Sequence, residues 1–215
     1  MLVWRRRFQQ EIRQHVGLHQ GIYFFVILLF LTGVVFGALA VRTLADSQKN
    51  ELMDYLQILA ADITTESLPI GSDLLLPTLW SNARLVSMLW LGGLTIVGLP
   101  FTLILLFGKG FSSGFTVAFL VQEVKLRGFI LAGTALLPHS LFLVPALLFL
   151  SAGAISFAYC VLRQRFFRQQ GRSDPPPLTS YLLFFCYAGL AVTLASLVEA
   201  YITPVLTGIT AVWLL

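Results

Sequence analysis

Very few side chains in this 215-residue chain could do chemistry. His139 is followed by Ser140 inside the stretch Leu136-Leu-Pro-His-Ser-Leu-Phe-Leu-Val-Pro-Ala146. A histidine beside a serine suggests the base and nucleophile of a hydrolase. Adjacent residues of a helix, however, project about 100° apart, so the two are badly placed for proton transfer. The pair reads as a buried polar turn, satisfied by hydrogen bonds to its neighbours rather than reactive. His15 and His19 are four residues apart and share a helical face, but Glu11 is the only acid near them. A tetrahedral metal site wants more ligands than that. Glu199 stands close to the end of an apolar run. An ionisable residue within a membrane segment is a functional candidate by default, and a place at the membrane interface is the structural alternative. HExxH, CxxC, GxSxG and P-loop patterns do not occur. No row of acids and cations falls at the middle of the apolar runs, so an ion-coupled transporter lacks a relay. Catalytic, cofactor-binding and metal-binding residues are therefore expected to be none, and the chain reads as a non-enzyme.

The elements that carry these residues are apolar. The chain is 57% hydrophobic and 11% charged, against about 25% charged for soluble domains. This composition predicts an all-α polytopic membrane protein forming one domain. The net charge of +4 does not point to nucleic acid, because the cations cluster beside apolar runs. Cys160 and Cys186 fall within predicted spans, so no disulfide framework is implied.

Residues 1–20 form a basic leader in which Trp4, Phe8, Ile12 and His15 recur at helical spacing. They predict a cytoplasmic helix lying on the leaflet, its arginines among anionic headgroups. Ile22 to Leu44 is the first predicted span, with Gly33 and Gly37 at the spacing that lets helices approach closely. Residues 46–79 form a polar external loop. Within it Leu52, Leu56, Leu59 and Ile63 make one apolar stripe, which predicts an amphipathic helix near 47–63 with Asp46 or Ser47 as N-cap. The stripe needs a surface: lipid headgroups, the protein's own spans, or a partner protein. Pro69, Gly71 and Pro77 are expected to break the chain before a second span from Leu85 to Phe107. Gly108-Lys109-Gly110 reads as a tight turn, and Phe111 to Arg127 as a short span or a re-entrant segment.

Gly128 to Leu162 is uncharged and far longer than the ~20 residues a helix needs to cross a bilayer once. Pro138 and Pro145 each remove a backbone donor and clash with the carbonyl four residues back. They predict a kinked helix or a helical hairpin, with Pro138, His139, Ser140 and Pro145 as a structural pivot together with Glu199 and Pro204. A basic, proline-containing cytoplasmic linker follows at 163–178, then a last span from Thr179 to Tyr201 and an apolar external tail at 205–215. About five spans result. With the N-terminus inside, the loops put Arg5, Arg6, Arg7, Arg13, Lys109, Arg163, Arg165, Arg168 and Arg172 inside. Arg42, Lys49, Arg84, Lys125 and Arg127 fall outside. The positive-inside rule then favours N-in, C-out. A double crossing by 128–162 would reverse the basic linker, which the rule disfavours.

Five stretches in order carry a resemblance: residues 29–38, 89–100 and 114–121, then Leu136 to Ala146, then Leu197-Val-Glu-Ala-Tyr-Ile-Thr-Pro-Val-Leu206. Together they resemble the stage II sporulation protein M family of spore-forming bacteria. Some relatives carry a glutamate where this chain has Leu143, in a Pro-His-Gly-x-x-Glu-x-Pro-Ala pattern. Leu143 and Ser140 resemble the sporulation branch instead. The resemblance implies a non-catalytic scaffold in the mother-cell membrane, at the septum or engulfing membrane. Its partners would be the peptidoglycan-cutting stage II sporulation proteins P and D, besides membrane lipid. Gly33, Gly37, Gly92 and Gly93 suit contacts within one chain or between two, so a homo-oligomer stays open. The rival reading is a transporter or channel subunit that uses the proline-broken segment as its substrate or gating site.

Overall fold

The computed structural model describes residues 20–65, 72–95, 98–167 and 178–214. The leader with His15 and His19, the loop residues Pro69 and Gly71, and the proline triplet at 175–177 lie outside the described residues. All regular structure among the described residues is helical. In chain order the elements are α1 (Gln20–Ala40) with a 3₁₀ turn at Val41–Thr43, α2 (Asp46–Thr65) and α3 (Ser72–Leu94). Then comes a long helical stretch, Gly98–Phe167, followed by α6 (Leu178–Leu197), a π-helical turn at Val198–Ile202, and α7 (Thr203–Leu214). Lys125 interrupts the long stretch with φ 56° and ψ −132°. It divides it into two arms, α4 (98–124) and α5 (126–167).

The arms fold back on each other. A Cβ on Gly128 would strike the carbonyl of Leu120 and the side chain of Val124, so only glycine lets the chain turn this tightly. At the other end α5 meets α3, where Gly93 lies against Ala154. Among the described residues, three segments are long and apolar enough to cross a membrane: Gln20–Thr43, Gly98–Tyr159 and Tyr181–Gly208. The second contains both arms of the hairpin.

The reversal at Lys125 corrects the expectation of a helix broken by proline. Pro138 and Pro145 both lie inside α5, and Lys125 is the one residue in Gly98–Phe167 with non-helical angles. Proline is tolerated in membrane helices because packed neighbours and local adjustments satisfy the freed backbone groups. Here Leu143, Ala146, Leu147 and Leu150, beside or between the prolines, are fully buried. Leu143, Leu147 and Leu150 share one core cluster with Val86 and Leu89 of α3 and with Ala188, Val192 and Ala195 of α6. Burial on this scale holds α5 helical against the local cost of two lost donors.

Gly108-Lys109-Gly110 is likewise not a turn but the middle of α4. The connection between α3 and α4 comes earlier. Thr95 caps α4, its hydroxyl accepting the Gly98 N–H at 3.1 Å. Pro100 sits in the first turn, where its missing N–H costs little. Gly110 is present for packing. A Cβ there would strike the Phe30 carbonyl, and one on Gly114 the Val34 carbonyl. Reciprocally, Gly33 faces the Phe107 carbonyl and Gly37 that of Phe111. α1 and α4 therefore run parallel, Gly-xxx-Gly against Gly-xxx-Gly, with backbones in contact.

Two smaller boundaries also differ. Ala45, not Asp46 or Ser47, caps α2: its N–H donates to the Gln48 side chain at 3.1 Å, and its carbonyl accepts from Lys49. This is the backbone half of a capping box. Pro77 lies inside α3 rather than ahead of it. α2 is helical over the expected stripe and, among the described residues, forms no extended packing with another helix.

Candidate functional site

The elements converge on one polar cluster in an otherwise apolar interior. Asn82 of α3 is buried, and its Nδ2 amide donates to Ser196 Oγ at 3.2 Å and to Glu199 Oε2 at 3.3 Å. Ser196 and Glu199 are three residues apart on the last helix, which puts both on one face. Ser196 is fully buried and Glu199 half-buried. From α5 comes His139, 8% exposed, with the backbone of Ala135 beside its ring. The imidazole lies within electrostatic reach of both the Glu199 carboxylate and the Lys109 ammonium. Lys109 itself is half-buried in the middle of α4. Four helices and the π turn thus each supply one polar group.

Local sequence explains the placement of Glu199. Pro204 has no N–H to give, and its ring would clash with the carbonyl of Ala200. The helix widens to a π turn ahead of it. The backbone N–H of Thr203 donates to the Val198 carbonyl, and its hydroxyl contacts the same oxygen at 3.4 Å. Single π turns of this kind recur at functional sites. The helix then continues through α7, which packs on the α4–α5 hairpin, so residues beyond Tyr201 extend the last span rather than trailing from it.

The predicted site residues fare unequally. Glu199 and Pro204 come together at the π turn. His139 is buried, with the backbone of Ala135 one turn back beside its ring. Ser140 is a turn away in role: its hydroxyl donates to the Leu137 carbonyl at 3.2 Å, a back-bond within its own helix. Pro138 and Pro145 do not act as a break. Leu52 is half-buried on α2, while the side chains of Leu56, Leu59 and Ile63 lie outside those described. Asn82, Lys109 and Ser196 escaped the sequence reading. Lys109 was hidden by its flanking glycines, which mimic a turn. Ser196 and Glu199 did carry a signal in their i, i+3 spacing. Asn82 carried none, since its partners are distant in sequence.

Among the described residues no group of three or more His, Cys, Asp or Glu is placed to hold a metal. The cluster offers hydrogen bonds and charge. Its one carboxylate, one imidazole and one ammonium form no direct salt bridge with one another. The 3.3 Å Asn82–Glu199 bond is long for a charge-assisted contact, which usually spans about 2.7–2.9 Å. The carboxylate is held lightly.

No curated protein and no solved structure matches the chain. A family model described as stage II sporulation protein M matches residues 26–204. That span runs from the apolar core of α1 through Pro204, and it contains Asn82, Lys109, His139, Ser196 and Glu199. The chain belongs to the stage II sporulation protein M family.

Proposed function

We propose that this protein is a non-catalytic membrane scaffold that recruits peptidoglycan hydrolases, the stage II sporulation proteins P and D, during engulfment. Family membership implies a role in sporulation, and the apolar helices make a membrane protein. The observation that carries the scaffold reading is α2. It is a 20-residue helix that follows α1, and among the described residues it forms no extended packing with another helix. A helix whose sequence carries an apolar stripe has a surface to offer.

In this reading the chain crosses the mother-cell membrane five times, through α1, α3, α4, α5 and the α6–α7 rod, with the N-terminus inside. The parallel run of α1 and α4 supports this, because the chain between them must return across the bundle and α3 packs there to do so. α2 then lies outside, on the side where peptidoglycan is cut. Leu52, Leu56, Leu59 and Ile63 form the docking stripe. Replacing Leu56 and Leu59 by aspartate should abolish co-purification of both hydrolases from sporulating cells. The protein should remain in the membrane at wild-type level. Undiminished co-purification with a folded variant would remove α2 as the docking element. The rival transport reading rested on a helix broken at Pro138 and Pro145, and α5 runs through both without a break.

A further inference from the structure

Lys109 is a cation deep within an apolar segment. α4 runs from Gly98 to the reversal at Lys125, which puts Lys109 roughly 16 Å from one end and roughly 24 Å from the other at helical rise. The neighbouring Gly110 lies against the backbone of Phe30, at the middle of the uncharged helix α1. A lysine stem can snorkel a few ångström along apolar surface, but the centre of the hydrocarbon is roughly 15 Å from its edge. Lys109 makes no ion pair and no hydrogen bond through its ammonium among the described residues. Glu199 takes its hydrogen bond from Asn82 instead. The surface beside Lys109 is polar as well. Gly108, Ser112 and Thr116 recur every four residues and are exposed, and half-buried Lys109 borders them, three residues before Ser112. The Ser112 hydroxyl donates no hydrogen bond among the described residues. A Cβ on Gly108 would meet open space. Lipid tails offer neither an ammonium nor a hydroxyl an acceptor.

We infer that this side of α4 binds a membrane helix of a second protein, one that carries a carboxylate at mid-bilayer depth opposite Lys109. Charge complementarity selects the occupant. A charged side chain inside a membrane is costly unless it meets a partner or lines a wet cavity, and a carboxylate is the partner that an ammonium takes. Headgroup phosphates lie beyond the reach of the lysine stem. A second copy of this chain in the same membrane would set α4 parallel to α4, Lys109 against Lys109. The acids of the apolar segments are Glu123, beside the reversal, and Glu199 on the last rod, so a copy brings no carboxylate to this depth of α4. Lys109 and Ser112 are spaced to donate to the two oxygens of one carboxylate. Gly108 lets the partner backbone come close, as small residues do between membrane helices. This contact is separate from the stripe on α2 and selects its partner by charge within the bilayer.

The test uses the full chain in lipid vesicles at neutral pH. The probes are synthetic leucine–alanine helices of about 21 residues, long enough to span, with glutamate, leucine or lysine at the centre. Binding is read by fluorescence energy transfer between labelled peptide and labelled chain. The glutamate peptide is expected to bind at least about tenfold more tightly than the leucine peptide. Lys109→Met should remove that preference, and Lys109→Glu should transfer it to the lysine peptide. Gly108→Leu, which has room within the chain, should weaken the glutamate peptide while leaving thermal unfolding unchanged. Equal binding of the glutamate and leucine peptides would overturn the proposal, as would a preference that survives Lys109→Met. Energy transfer between two labelled copies of the chain that Gly108→Leu abolishes would give the face to a second copy and overturn it too. So would Lys109-dependent retention of anionic lipid with no preference among the peptides. Lysine-peptide binding gained by Lys109→Glu cannot arise from misfolding, so the exchange decides the matter even where Lys109→Met loses its fold.

Discussion

At the scale of single residues, the interior is governed by whether polar groups find partners. Asn82 serves two acceptors with one amide nitrogen. A hydrogen bond between membrane helices averages only about 0.6 kcal/mol, but removing a shared donor strands both acceptors, and an unsatisfied buried group costs about 1–3 kcal/mol. Asn82→Ala should therefore lower unfolding stability by about 2 kcal/mol, and Ser196→Ala by clearly less, as measured by thermal or denaturant unfolding in detergent micelles. Lys125 presents the opposite case. It holds a positive φ that favours glycine, and such strain costs about 1–3 kcal/mol. Lys125→Gly should raise stability by about 1 kcal/mol in the same assay. How much of this was legible in sequence depends on the distance to each partner. Glu199, with Pro204 five residues on, could be read as a special point because both the acid and the helix irregularity are local. Asn82 could not, since it meets Ser196 and Glu199 only across more than a hundred residues of intervening chain.

At the scale of elements, the same physics decides which glycines and prolines act as punctuation. Helical periodicity located α1 and α2 to within a few residues, because an apolar run and an amphipathic stripe are properties of the segment itself. Gly108-Lys109-Gly110 and the prolines at 138 and 145 misled, because their roles are set by other helices. Gly110 accepts the Phe30 backbone, and the prolines ride within a helix held by buried leucines on both sides. The glycines also separate by role in a way that can be measured. Gly37→Leu places a branched side chain against the backbone of Phe111 and Phe115. It should force α1 off α4 and abolish disulfide crosslinking between cysteines placed at Phe36 and Phe107, whose rings lie 6.1 Å apart across the two helices. Gly189→Ala meets open space and should leave that crosslink and the protein's stability unchanged, or raise stability by up to about 1 kcal/mol as glycine is removed from a helix.

At the scale of the whole molecule, two features stand apart: a helical bundle with a few buried polar groups, and one helix, α2, without extended packing on it among the described residues. α1 and α4 lie backbone to backbone, and α3, α5 and α6 share one apolar core. α2 takes no part in that core. On the scaffold proposal, the bundle is the rigid base and α2 offers the docking surface. The account is tested most directly at that free helix. A photo-crosslinking amino acid is placed in turn at Leu52, Leu56 and Ile63, and at the exposed bundle position Leu190 as a control, in sporulating cells. Adducts with the stage II sporulation proteins P or D from the three α2 positions, and none from Leu190, are the result the scaffold account predicts. Adducts from Leu190 alone, or capture of lipid only at all three α2 positions while the hydrolases still localise, would contradict it.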